Sequence, residues 1–220
     1  LDDAMDEMPS GALNGFTPNE AKEINLKKIN LQRNKTKKYV KQQNACLSKK
    51  EAKLFYKIYF GLLEFTNKKY KINPHIKIYH QNGINPYEIK DIVDKYWENK
   101  EKITEEFCLN NPYKFNQEEL SIANEFKKGI RSIFIISKYE LEYTAFMERD
   151  RIYMVKGLND NIDNIIPYNK LPHVVMTSVI PFKKVLVYDG MLLELSIKMG
   201  NEFDELIDNE YNSMMKYYHL

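Results

Sequence analysis

Residues 171–193 read LPHVVMTSVIPFKKVLVYDGMLL, the densest apolar sequence in the chain. Their β-branched and aromatic composition predicts strands over residues 173–180 and 184–188, joined by a Pro-Phe-Lys-Lys corner. Asp189-Gly190 follows, a dipeptide that favours the tight turn of a β-hairpin. The stretch therefore reads as the centre of a small antiparallel sheet.

Upstream, the hydrophobic period changes from 3.6 to 2 at Gly129. IRSIFIISK (130–138) is apolar on both faces, as in a strand buried between layers. Residues 142–148 and 151–156 read as two more strands around an Arg149-Asp150 turn. NDNIDNII (159–166) reads as a short helical turn before Pro167. Downstream, residues 201–218 return to helical spacing, with Phe203, Leu206, Ile207, Tyr211, Met214 and Met215 on one face.

The first half is helical. Ser48-Lys49-Lys50-Glu51 forms a capping box, and Phe55, Ile58, Tyr59, Leu62, Leu63 and Thr66 recur at spacings of three and four. Asn85-Pro86 opens a second helix, residues 100–109 form a third, and residues 116–128 a fourth. Residues 73–85 read as a connector. Helices, then about five strands, then a terminal helix define the α+β class. The expected architecture is a helical region on an antiparallel five-stranded sheet or partly closed barrel, with a C-terminal helix. The divisions fall at 1–47 (a basic helical lead-in, partly flexible), 48–128 (helical) and 129–220 (β region and last helix), the latter two packing as one unit.

With 220 residues, 43% hydrophobic and 29% charged, the chain reads as a globular protein able to bury a core. Its net charge of +2 is too small to imply a polyanion partner for the chain as a whole. The opening residues, LDDAMDEMPSG, lack the apolar run of a signal peptide, and the start at Leu1 suggests trimming. No stretch approaches the roughly 20 apolar residues of a membrane span. Cys46 and Cys108, in separate helical regions without paired spacing, read as reduced thiols of a cytoplasmic protein.

Charge is distributed unevenly. Between residues 22 and 53 lie eleven Lys or Arg and only two acids, Glu23 and Glu51. Such a run reads as a solvated helix face or a mobile arm. The alternative is a phosphate-contacting arm, with Lys27, Lys28, Arg33, Lys35, Lys37, Lys38 and Lys41 as the contacts and nucleic acid as the partner. Tyr39 is the one aromatic residue near them.

Chemistry-bearing motifs are missing: there is no P-loop, no dinucleotide fingerprint, no zinc-protease helix and no nucleophile elbow. His75 and His80 share a loop without further ligands, so no metal or cofactor is expected. His173 and Asp189 are the catalytic candidates for a hydrolase-type reading, Asp189 as a base paired with His173 or with an acid from 140–150. Against it stand an ordinary turn at Asp189 and an ordinary sheet position for His173.

Residues 171–176 (LPHVVM), 180–183 (IPFK) and 187–190 (VYDG) resemble a pattern in uncharacterised bacterial proteins, some of which carry a SEC-C metal-binding motif. The resemblance continues through Leu54-Phe55-Tyr56-Lys57, residues 126–136 and Gly157-Leu158. The Cys-rich SEC-C cluster is absent here, so the resemblance implies a shared fold and carries over neither zinc nor a catalytic residue. The function read from sequence is a non-enzymatic binding module for an acidic partner. A hydrolase and a protein–protein adaptor are the alternatives.

Overall fold

A computed structural model of the chain describes residues 40–79, 85–195 and 203–218. Helix α1 (Lys49–Tyr70) starts at the capping box read from the sequence. Ser48 Oγ accepts from the Glu51 N–H, and the Glu51 carboxylate accepts from the Ser48 N–H. It ends where Lys71 turns left-handed, φ 52°. Phe55, Ile58, Tyr59, Leu62, Leu63 and Thr66 are all fully buried. Each large side chain among them contributes roughly 1.5–3 kcal/mol as an upper estimate. Glu64 is buried as well, and its carboxylate accepts the Ile78 N–H at 2.7 Å.

Helices α2 (Pro86–Glu98), α3 (Lys100–Asn110) and α4 (Gln117–Phe126) pack around α1. Asn85 caps α2, and Asn116 with Glu119 forms a second capping box at α4. The layer is joined by rings: Phe55 packs on Phe126 at 5.4 Å and edge-on against Phe182 of the sheet at 5.6 Å.

The sheet consists of β1 (Ile130–Tyr139), β2 (Thr144–Glu148), β3 (Arg151–Lys156), β4 (His173–Phe182), β5 (Val185–Tyr188) and β6 (Leu193–Glu194). The fold is α+β, but the sheet is mixed, not antiparallel, and has six strands. Pairings β1–β2, β2–β3, β3–β5, β5–β4 and β4–β1 close a ring of five strands. All are antiparallel except β3–β5, which is parallel and rests on Val155↔Leu186 and Lys156↔Val187. The parallel pair arises because the chain leaves β3 and passes through 3-10 turns (Ile162–Asn164, Tyr168–Lys170) and β4 before returning beside it.

β4 is the hub, as its composition suggested. Val179 pairs with Ile130 of β1 on one side and Tyr188 of β5 on the other. β6 pairs with β4 at Val175 and Met176, opposite β1. β5 and β6 thus share one edge of β4. The Asp189-Gly190 hairpin turn expected from sequence is instead an interruption between these two collinear strands: residues 189–192 lie opposite only Thr177 and Ser178. Two-residue hairpin turns stand instead at Lys183-Lys184 and Arg149-Asp150, with Lys183 (φ 54°) and Arg149 (φ 53°) in the left-handed region.

Phe134 and Ile136 of β1 face the main core, while Ile135 lies under the last helix, α5 (Phe203–Tyr218). Ile207 and Tyr211 of α5 form a second, smaller core with Ala145, Met147 and Ile152. Ile133 remains 50% exposed, so β1 is covered on its outer face only in part.

Residues 1–39, with most of the basic lead-in, lie outside the described residues. Residues 40–47 are not helical as expected but irregular, with a bend at Gln43 and Asn44, and they are bonded to the ring. Leu47 N–H donates to Gly157 O and Gly157 N–H to Ala45 O. The buried Gln42 donates to the carbonyl of Tyr143 at 2.8 Å and to Thr144 Oγ1 at 3.0 Å, and accepts the Asp163 N–H at 3.2 Å. Val40–Leu220 forms one compact unit. Among the described residues no helix is long and apolar enough to cross a membrane.

Candidate functional site

Among the described residues, two places that gather polar side chains bear on function. The first is a cleft of about 580 Å³ at the C-terminal end of α1, lined by Lys68, Lys71, Lys77, Tyr79 and Tyr113 among others. Its walls are fixed from beneath. Asn67 accepts the Asn73 N–H and donates to the carbonyls of Asn73 and Ile76, which folds residues 72–79 back over the helix. On the opposite wall, Asn111 donates to Phe115 O and accepts the Phe115 N–H, closing a tight loop that presents Tyr113. Tyr79 and Tyr113 meet with ring centroids 4.2 Å apart, at a tilt of 34°.

Charge in this cleft is positive. Lys68 pairs with Glu64 at 3.1 Å and lies 5.7 Å from the centre of the Tyr113 ring. The Glu64 carboxylate is the main reason its pKa is raised above the ordinary lysine value. Lys71 and Lys77 are exposed and have no carboxylate within ion-pair distance among the described residues. Three lysines thus face one glutamate. Burial raises the pKa of Tyr113, and Lys68 pulls against it. Both tyrosines are therefore neutral donors near pH 7.

The second place surrounds Asp189, which is buried. β1–β4 register sets Arg131 directly opposite Ser178, and Ser178 in turn lies beside Asp189. The carboxylate accepts from Ser178 Oγ at 2.6 Å, Thr177 Oγ1 at 3.1 Å and the Met191 N–H at 3.0 Å. Arg131 Nη1 approaches it at 3.4 Å, and Arg131 Nε donates to Asp94 of α2 at 2.8 Å. Burial raises the Asp189 pKa, against the pull of Ser178, Arg131, Met191 and Thr177. Its own burial, with the Asp189 charge, pushes Tyr56 up to about 12. Asp189 ties two collinear strands, β1 and α2 together. Every oxygen it offers is used in that tie.

Asp189 and His173 do not converge. His173 stands five positions before Ser178 on β4, roughly 17 Å away at about 3.3 Å per residue. Its Nε2 faces Glu194 of β6 at 3.6 Å. The acids of the hairpin lie elsewhere: Glu148 pairs with Arg149 at 3.4 Å, and Glu140 with Lys138 at 3.1 Å. His75 is exposed, and His80 lies outside the described residues. Among the described residues no group of three His, Cys, Asp or Glu side chains is placed to hold a metal ion.

Of the basic residues read from sequence, Lys27, Lys28, Arg33, Lys35, Lys37 and Lys38 lie outside the described residues, and Lys41 is exposed beside the buried Gln42. Cys46 and Cys108 are free thiols; Cys46 sits in the non-helical segment bridged to Gly157. Sequence reasoning missed the cleft. Its signal was present in residues 67–79, where Lys68, Lys69, Lys71 and Lys77 stand close to Tyr70 and Tyr79. Tyr113 is far along the chain, and only the fold brings it to Tyr79.

No family model, curated protein or solved structure matches this chain.

Proposed function

We propose that this protein is a non-enzymatic binding module whose partner is an acidic macromolecule, nucleic acid in the first place. The basic segment before residue 40 and the lysine-lined cleft are its contacts. The observation that carries the reading is the cleft itself, where Lys71 and Lys77 have no carboxylate partner among the described residues and stand beside a tyrosine pair. Lysines that serve only solubility are commonly dispersed among acids; here three line one concavity with a single glutamate. The arrangement around Asp189 supports the non-enzymatic part, because its carboxylate is fully engaged in joining strands. A reducing, cytoplasmic setting fits the two free thiols.

The test is affinity for nucleic acid as a function of salt. Phosphate contacts release counterions, so log K should fall linearly with log salt, by roughly 0.7–0.9 for each phosphate neutralised. Removing residues 1–39, which leaves the Gln42 bonds intact, should reduce the slope sharply. Affinity that is absent, or that does not change with salt, overturns the proposal.

A further inference from the structure

Resting on that reading, we infer that the cleft beside Tyr79 and Tyr113 is a site for single-stranded nucleic acid, with a base against the tyrosines and phosphates on Lys71 and Lys77. A duplex presents a convex charged rod whose bases are stacked inside, and it meets a concave site only along its rim. A single strand can turn a base out of its backbone, and sites for such strands combine aromatic faces with lysines that follow the phosphates. The cleft holds both elements within one concavity of about 580 Å³, a volume typical of sites for small organic groups.

The tyrosine pair is held by parts independent of any partner. Asn67 fixes the loop leading to Tyr79, and Asn111 fixes the loop carrying Tyr113. Such preorganisation limits the ordering cost of binding. Lys68 has another duty, since it faces Glu64 and the carbonyl end of α1, where a cation is favoured for structural reasons. Lys71 and Lys77 have no such duty and are the better probes.

The experiment compares three probes by fluorescence anisotropy on the full chain: a labelled oligothymidylate, the same length as a duplex, and heparin, a polyanion without bases. The oligothymidylate should bind tightest. Lys71→Glu with Lys77→Glu, both on exposed residues, should weaken it tenfold or more. Tyr79→Leu should weaken the oligothymidylate by roughly tenfold, the effect of one lost stacking contact, and leave heparin unchanged. Equal binding of heparin and oligothymidylate, both unaffected by Tyr79→Leu, would overturn the inference while leaving an acidic partner in place. So would a preference for duplex, or binding lost on removing residues 1–39 yet untouched by the lysine changes. If none of the three probes binds, both readings fail.

Discussion

At the scale of single residues, Asp189 is the side chain on which most depends. Asp189→Ala leaves Ser178, Thr177 and the Met191 N–H without their acceptor and removes one of the two carboxylates facing Arg131. Breaking a buried pair costs about 3–5 kcal/mol, and the lower end applies here because Asp94 still faces the guanidinium. Urea denaturation should show that loss of about 3 kcal/mol. The pH dependence has a defined sign. Burial raises the folded pKa of Asp189 above the ordinary value of 3.8, so the folded state holds this proton longer than the unfolded chain. Its contribution is most favourable below 3.8 and declines as pH rises through the raised folded value. Asp189→Asn should remove that decline from a plot of stability against pH. Sequence revealed the dipeptide but misjudged it: Asp-Gly is a strong hairpin signal, and nothing local tells that the side chain will be met by Arg131 from β1. Gly190 did carry a legible constraint, since its φ of +88° is one few residues adopt.

Among the elements, α1 is the one most completely written in local sequence. Its cap, its buried face and its C-terminal end follow from neighbours within a few residues. Ser48→Ala should cost about 1 kcal/mol, measured as a shift in the denaturation midpoint. The hydrogen bonds from the Ser48 side chain and backbone hold the Glu51 carboxyl below its ordinary value of 4.5. Lys57 and the Asn116 N–H more than offset the burial of Glu119 and lower it likewise. Both contributions are present above 4.5 and lost as pH falls through the lower folded values, so acid should loosen α1 and the start of α4 together. The pH dependence of amide exchange in these two helices would show whether it does. Strands were legible as strands, through β-branched runs and turn residues, but their partners were not. Nothing in residues 151–156 or 185–188 announces that they pair in parallel, because that contact is made by the path of the chain between them. The cleft falls between these cases. Its lysines and Tyr79 stand close in sequence, whereas Tyr113 arrives through the packing of α3 and its following loop.

For the molecule as a whole, ring closure is uneven in strength. β1 and β4 pair over seven successive residues, Ile130↔Val179 to Ile136↔His173, while β3 and β5 meet over two. Native-state hydrogen exchange should therefore find the longest protection in β1 and β4 and the earliest opening at the β3–β5 seam. Equal protection at both would contradict this. Beside that seam, a Cβ on Gly157 would lie 1.9 Å from Asp160 O, so Gly157→Ala should displace the chain there and lower the melting temperature. Gln42 fastens residues 40–47 to Tyr143, Thr144 and Asp163, and its partner Asp163 lies 121 positions later in the chain. At about 5–20 residues per second, Gln42 leaves the ribosome roughly ten seconds before Asp163 is made. During that interval residues 40–47 are already made, while their bonds to Asp163 are still missing. Residues 40–47 are thus made well before the last of the groups that fasten them.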